Sequence, residues 1–199
     1  MRDLVLATRN EGKIREMRDF LQGLPYRVLS IGELGKPIPE VEETGETLLE
    51  NAQLKARAVA QASGLLSLAD DTGLEVDALD GQPGVYSARW AGEDCGYDDN
   101  NKKLLEELAK LGDVSRGAVF RTVLVLAEPQ PSGREDWVSG LCEGQISRQP
   151  LGEAGFGYDP VFYVPEARKT FAQMSLEEKN RFSHRGEALR RAWKLLERW

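Results

Sequence analysis

The sequence predicts an α/β fold, and three observations carry that prediction. Short apolar runs, which read as buried strands, alternate with stretches whose apolar residues recur three and four apart, which read as helices. Leu4 to Ala7 is followed by Ile14, Met17, Leu21 and Leu24 at helical spacing, and a second helical run from Thr47 to Val59 feeds into the apolar stretch Leu65 to Ala69. At 199 residues the chain is long enough for one sizeable domain, in one lobe or in two around a cleft, and nothing marks a second independent domain.

Hydrophobic residues at 41% and charged residues at 30% are the balance of an ordinary soluble protein, with no need of disorder or low complexity. The net charge of −7 argues against a nucleic-acid partner, because counterion-release binding needs clustered Lys and Arg. A small anion could still be met by a local basic pocket. Cys95, Cys142 and the single His184 are far apart in sequence, which suggests neither a disulfide framework nor a zinc site and points to a reducing compartment. The N-terminal apolar stretch turns polar at Thr8, too soon for a signal peptide, and no segment approaches the length of a membrane span. The expectation is a cytoplasmic protein without a membrane partner.

After the first strand, Thr8-Arg9-Asn10-Glu11-Gly12-Lys13 forms a polar loop opening a helix. Free N–H groups and the helix dipole favour an anion there, and Lys13 adds a positive charge. It is not a Walker A loop, since Ala7 replaces the first glycine and Ile14 stands where the magnesium-binding hydroxyl belongs.

A loop with Gly35, Pro37 and Pro39 leads to Val41-Glu42-Glu43-Thr44-Gly45-Glu46. Thr47 and Glu50 fit a capping box, Leu48, Leu49, Ala52, Ala56 and Val59 supply an apolar face, and Gly64 is the expected stop. Asn51 and Lys55, four apart, share one helix face. Glu42, Glu43 and Glu46 read either as acid favoured near a helix start or as carboxylates that help hold a divalent cation.

Asp70 and Asp71 stand at the end of the next strand, where adjacent side chains point to opposite faces. One is expected to face a cleft and the other to anchor a turn, and by itself Asp70-Asp71-Thr72-Gly73 favours a plain turn. Leu74, Val76 and Ala78 alternate as a half-buried strand ending at Asp80-Gly81, Gln82 to Trp90 is loop-like, and Asp98 to Leu111 is a helix with Leu104, Leu105, Leu108 and Leu111 on its apolar face. Ala118 to Ala127 and Trp137 to Ile146 read as two strands joined by a turn.

The run Gly152, Gly155, Phe156, Gly157, Tyr158, Asp159 and Pro160 lets backbone approach a ligand closely, with Phe156 and Tyr158 as a stacking face. Val161 to Val164 is a short strand. Ser175 with Glu178 is a second capping box, opening a short helix that carries Lys179. A last helix starts near Ser183-His184-Arg185-Gly186 and buries Leu189, Ala192, Leu195 and Leu196. A lone histidine there is more often a merely accommodated residue than a ligand.

Taken in order, Thr8-x-Asn10-x-x-Lys13, Glu42-Glu43-Thr44-Gly45, Asn51-Ala52-x-x-Lys55-Ala56, Ala69-Asp70-Asp71-Thr72-Gly73, Pro83-Gly84-x-Tyr86-Ser87-Ala88-Arg89, Gly155-Phe156-Gly157-Tyr158-Asp159-Pro160 and Ser183-His184-Arg185-Gly186 resemble the inosine triphosphate pyrophosphatase family. Each motif is weak alone; seven at compatible spacings cover nearly the whole chain. The resemblance implies a long twisted mixed sheet flanked by helices, two lobes with a central cleft within a single domain over residues 1–199, and a homodimer. It also implies a magnesium-dependent enzyme that hydrolyses ITP, dITP and XTP to the monophosphate and pyrophosphate.

Carried over motif by motif, Thr8, Arg9, Asn10, Glu11, Gly12 and Lys13 bind the triphosphate, Asp71 is the proton acceptor and a metal ligand, and Glu42 is the second metal-linked carboxylate. The charge of the triphosphate is expected to be met by Lys13, Lys55 and Lys179 with Mg²⁺. Thr72 touches substrate, and Phe156, Gly157, Tyr158, Asp159, Lys179, His184 and Arg185 hold the nucleoside and phosphates. Arg9, where many relatives carry glycine, and Thr72, where serine is common, are the departures. Two rival readings are a Maf-like pyrimidine nucleotide pyrophosphatase and a non-catalytic nucleotide-binding protein; the stretches around Phe156 and His184 oppose the first, and the presence of both Glu42 and Asp71 opposes the second.

Overall fold

A computed structural model describes residues 1–199. Strand β1 (Arg2–Leu6) ends in Leu4, Val5 and Leu6, all fully buried, the unbroken apolar run expected of a strand covered on both faces. The chain then turns through a polar loop into helix α1 (Glu11–Phe20), whose Asn10 cap accepts the Lys13 N–H, and returns as β2 (Tyr26–Ser30), parallel to β1. Helix α2 (Leu48–Ser63) starts at a complete Thr47 and Glu50 capping box and stops at Gly64, whose φ of 72° is left-handed, as the sequence reading had both. Strand β3 (Leu66–Val76) runs parallel to β1, with Leu4 opposite Leu66 and Leu6 opposite Leu68.

The expected break after Asp71 is absent. β3 is one strand of 11 residues with both aspartates in its middle, so neither anchors a turn. Each carboxylate meets a lysine instead, which removes the local pull toward an Asp-Gly turn. Ala78 lies in a short 3-10 turn, Asp77–Leu79, beyond the strand end.

A two-residue strand β4 (Pro83–Gly84) pairs antiparallel with β3, and helix α3 follows at Tyr97–Lys110. Leu104 and Leu108 are buried on it, but Leu111 sits one residue past its end and is exposed. Strands β5 (Gly117–Ala127) and β6 (Glu135–Ile146) form as predicted. β7 (Phe162–Val164) and β8 (Lys169–Thr170) extend the sheet. Helix α4 (Leu176–Phe182) is capped by the Ser175 hydroxyl, which accepts the Glu178 N–H. Only half of the expected capping box forms, because the Glu178 carboxylate is taken by Lys169. Helix α5 (His184–Leu196) closes the chain.

The strands make one mixed sheet of eight, in the order β2-β1-β3-β5-β6-β7-β8 with β4 on β3. The chain forms two compact units. The first, 1–71, 122–140 and 187–199, has a core of Leu4, Leu6, Met17, Leu21, Leu68 and Leu189 among others. The second, 72–121 and 141–186, is built on Leu74, Leu104, Leu108, Phe120, Phe162 and Phe171. Each such side chain fully buried stabilises its unit by about 1.5–3 kcal/mol. No helix is long and apolar enough to cross a membrane.

Candidate active site

In the first unit, the loop before α1 is held by its own side chains. The Thr8 hydroxyl accepts the Asn10 N–H, and Asn10 Oδ1 accepts the Lys13 N–H, each at 3.2 Å. Ile14 N–H goes to the Asn10 carbonyl. Glu11 and Gly12 open the helix, so their N–H groups have no partner within it, and the dipole there favours an anion. Arg9 takes no part in that ring, since its guanidinium donates to the Ile38 carbonyl at 2.7 Å.

Strand alternation separates the two aspartates. Asp70 Oδ2 lies 3.1 Å from Lys13 Nζ of α1, while Asp71 Oδ1 accepts from Lys55 Nζ of α2 at 2.7 Å. Lys55 also donates to Glu43 at 2.8 Å, so one ammonium bridges two carboxylates. Asn51, one turn earlier on the same face of α2, accepts the Gly45 N–H through Oδ1 at 2.8 Å and ties the acidic loop to the helix. Glu43, not Glu42, is the residue this loop turns onto Lys55; Glu42 is exposed.

Burial raises Asp71 above the ordinary carboxylate range. The Lys55 charge opposes the rise, Glu43 adds to it and Lys13 opposes it. For Lys55, burial alone would lower the pKa, but Asp71, Asp70 and Glu43 outweigh it and hold the ammonium above its usual value. An aspartate so placed is a stronger base than one in water. Asp71 Oδ2 is buried with no hydrogen-bond partner. That unmet acceptor fits a hard divalent cation, which takes one or two carboxylates and completes its shell with water and phosphate oxygens.

The second unit gathers the remaining predicted residues. Asp159 is buried, and its Oδ2 accepts the Phe156 N–H at 2.8 Å and pairs with Lys179 Nζ at 2.5 Å. Gly155, at φ 80°, has no room for a Cβ because Asp159 occupies that space. Lys179 Nζ lies 4.6 Å and Arg185 Cζ 5.6 Å from the centre of the Phe156 ring, both within cation–π range. Arg185, 2% exposed, donates to the Thr72 hydroxyl at 3.0 Å. His184 is buried and stacked on Phe120, with centroids 4.4 Å apart.

The Tyr158 ring is not the stacking face that the sequence suggested. It is buried and its O–H donates to the Ser87 carbonyl at 2.9 Å, and burial pushes its phenol far above the usual range. Two residues outside the sequence reading touch the Phe156 loop. Asn101 Nδ2 donates to the Gly157 carbonyl at 2.9 Å, and the Tyr97 ring lies 6.2 Å from Phe156, tilted by 43°. Their spacing of four on a helix was the available signal, but it reads as an ordinary helix face until the loop is seen beside it.

Residues 4–195 match the model of the Ham1 family. A dITP/XTP pyrophosphatase of Desulforamulus reducens is 52% identical over 195 residues, 98% of this chain and 96% of that protein. One from Thermus thermophilus is 52% identical over 94% of this chain and 88% of its own length. Among solved structures, a HAM1 protein from Coxiella burnetii superposes with a TM-score of 0.89 at 41% identity, all of both chains covered. The Staphylococcus aureus Ham1 protein gives 0.84 at 43% identity, with 98% of each covered. The motif resemblance, the mixed sheet and these matches agree, and the chain belongs to the Ham1 family.

Proposed function

We propose that residues 1–199 act as one pyrophosphatase domain that hydrolyses non-standard purine nucleoside triphosphates, dITP, ITP and XTP, to the monophosphate and pyrophosphate. The observation that carries this reading is the buried Asp71, held by Lys55 through one oxygen and unpartnered at the other, in a chain half identical to dITP/XTP pyrophosphatases.

A triphosphate brings about four negative charges, which must be neutralised and held in line for attack on the α-phosphorus. In this reading the Thr8 to Lys13 loop binds phosphate oxygens through the Glu11 and Gly12 N–H groups and Lys13. Arg9 sits at the rim, and Lys55 supplies a second cation. Asp71 takes the proton of the attacking water, and Glu42 and Asp71 would hold a Mg²⁺ ion. That cation, when bound, neutralises phosphate charge and acidifies water.

Phe156 stacks on the base, Gly157, Tyr158 and Asp159 shape the loop around it, and Thr72, Lys179, His184 and Arg185 supply donors. Hypoxanthine and xanthine carry a C6 carbonyl where adenine carries an amino group. A site whose donors face that carbonyl leaves them unmet with adenine, at a cost of about 1–3 kcal/mol per group. The same reading expects a homodimer in the cytoplasm, without nucleic-acid or membrane partners.

The test is a panel of dITP, XTP, dATP, dGTP and dTTP, each with and without Mg²⁺, with products identified. dITP and XTP should give monophosphate plus pyrophosphate, dependent on the metal, at least about 10² times faster than dATP. Release of orthophosphate, or preference for dTTP, would reject the reading.

A further inference from the structure

We propose that the first turn of α3 supplies a second wall of the base site, with Tyr97 as the ring that lies beside Phe156 to receive the purine. The inference rests on the functional reading above and assigns it a residue that no motif of the sequence carries.

Tyr97 is not needed to start its helix. Gly96 is the N-cap, and its N–H is accepted by the Asp99 carboxylate at 2.8 Å, so the end of α3 is satisfied without the aromatic side chain. Nor is the ring part of the core, since Tyr97 is 47% exposed. It lies 6.2 Å from Phe156 at 43°, within the range of aromatic pairs. Phe156 is itself half-buried, so the pair presents ring surface from two separate stretches of chain.

The placement is fixed rather than incidental. Asn101 follows Tyr97 by four residues and so shares its helix face, and Asn101 Nδ2 donates to the Gly157 carbonyl. The same face of α3 therefore carries the exposed ring and clasps the loop that bears Phe156. Asn101 Oδ1 is buried with no hydrogen-bond partner, which leaves an acceptor unmet on that face. Tyr158, the second ring expected from the sequence, is turned into the core. Tyr97 fills the role Tyr158 leaves open. A flat purine accepts such stacking whatever its edge pattern, so the ring adds affinity for the base while the surrounding donors choose among bases.

The experiment compares Tyr97→Ala and Tyr97→Phe with the wild type, using steady-state kinetics on dITP and XTP and direct binding of inosine monophosphate and of pyrophosphate by calorimetry. Tyr97→Ala should raise KM for both nucleotides and weaken inosine monophosphate about tenfold, with kcat and pyrophosphate binding moving less than about twofold. Tyr97→Phe keeps the π face and should recover both quantities. Unchanged inosine monophosphate binding in Tyr97→Ala, an equal loss in Tyr97→Phe, or a parallel loss of pyrophosphate binding would overturn the assignment. A wild type that binds inosine monophosphate more tightly than Tyr97→Ala yet hydrolyses neither nucleotide would reject the functional reading and leave this one standing. A wild type that binds no nucleotide would end both.

Discussion

Asp70 and Asp71 carry the same side chain one residue apart, and only strand alternation gives them different partners, Lys13 and Lys55. Asp71, whose carboxyl pKa is pushed up by burial, shares Lys55 with Glu43 of the acidic loop, whereas Asp70 faces Lys13, so the base is assigned to Asp71. Asp71→Asn keeps the volume and removes the basicity, and kcat should fall about 10²–10⁴-fold, with the melting curve showing that the fold survives. The loop carboxylates offer a sharper comparison. Glu43 is already engaged by Lys55, whereas Glu42 is exposed. If Glu42 is the metal ligand, Glu42→Gln should raise the Mg²⁺ needed for half-maximal rate by more than the roughly 10–100-fold typical of a residue that only supports a ligand, and Glu43→Gln by no more than that range. Titrating activity against Mg²⁺ decides, and the reverse order would move the ligand to Glu43. Which of two neighbouring glutamates turns inward is not legible in Val41-Glu42-Glu43-Thr44. It depends on Asn51 gripping the Gly45 N–H, a contact between segments that helix spacing alone does not announce.

Among elements, those with their own local chemistry were legible and those decided by neighbours were not. Helix α2 follows from Thr47, Glu50 and Gly64, and β5 and β6 from their Val, Leu and Phe content. Strand β2 is not legible, because Tyr26-Arg27-Val28-Leu29-Ser30 is short and only half buried, and its pairing with β1 supplies what its sequence lacks. Asp-Asp-Thr-Gly carries turn chemistry and predicts a break in β3, which two lysines from distant helices override. The joint between the acidic loop and α2 gives the prediction at this scale. A Cβ on Gly45 would stand 2.7 Å from Asn51 Oδ1 and 2.7 Å from Glu50 Cβ, both inside contact distance. Gly45→Ala must therefore push the loop off the helix and break the Asn51 bond. The expected cost is about 1–3 kcal/mol, a fall in Tm of roughly 2–4 °C per kcal/mol for a chain of this size. Apparent Mg²⁺ affinity should weaken with it, because Glu42 and Glu43 ride on the displaced loop. A variant that melts and titrates like the wild type would show that the loop is not clasped as described.

At the scale of the whole chain, the two units have separate apolar cores but no linker joins them. Each boundary between them falls inside a regular element: between Asp71 and Thr72 in β3, Arg121 and Thr122 in β5, Gly140 and Leu141 in β6, and Gly186 and Glu187 in α5. Three strands thus contribute to both cores, and α5 crosses the boundary. A unit that unfolds alone must break three strands and a helix mid-length and leave their cut ends frayed and uncapped. The same boundaries divide the chemistry, since Asp71 closes one unit and Thr72 opens the other across a single peptide bond. Independent unfolding should therefore be unfavourable, and the chain should behave as two-state despite its two cores. Tryptophan makes this measurable, because Trp90 reports on the second unit while Trp137, Trp193 and Trp199 report on the first. In urea, the far-UV circular dichroism of the wild type, its tryptophan fluorescence, and the fluorescence of a Trp90→Phe variant should each show one transition. Within each protein, the dichroism and fluorescence midpoints should coincide. A wild-type fluorescence change that precedes the loss of helix signal and vanishes in Trp90→Phe would mean that the second unit opens by itself, and that strands shared between cores do not enforce cooperativity here.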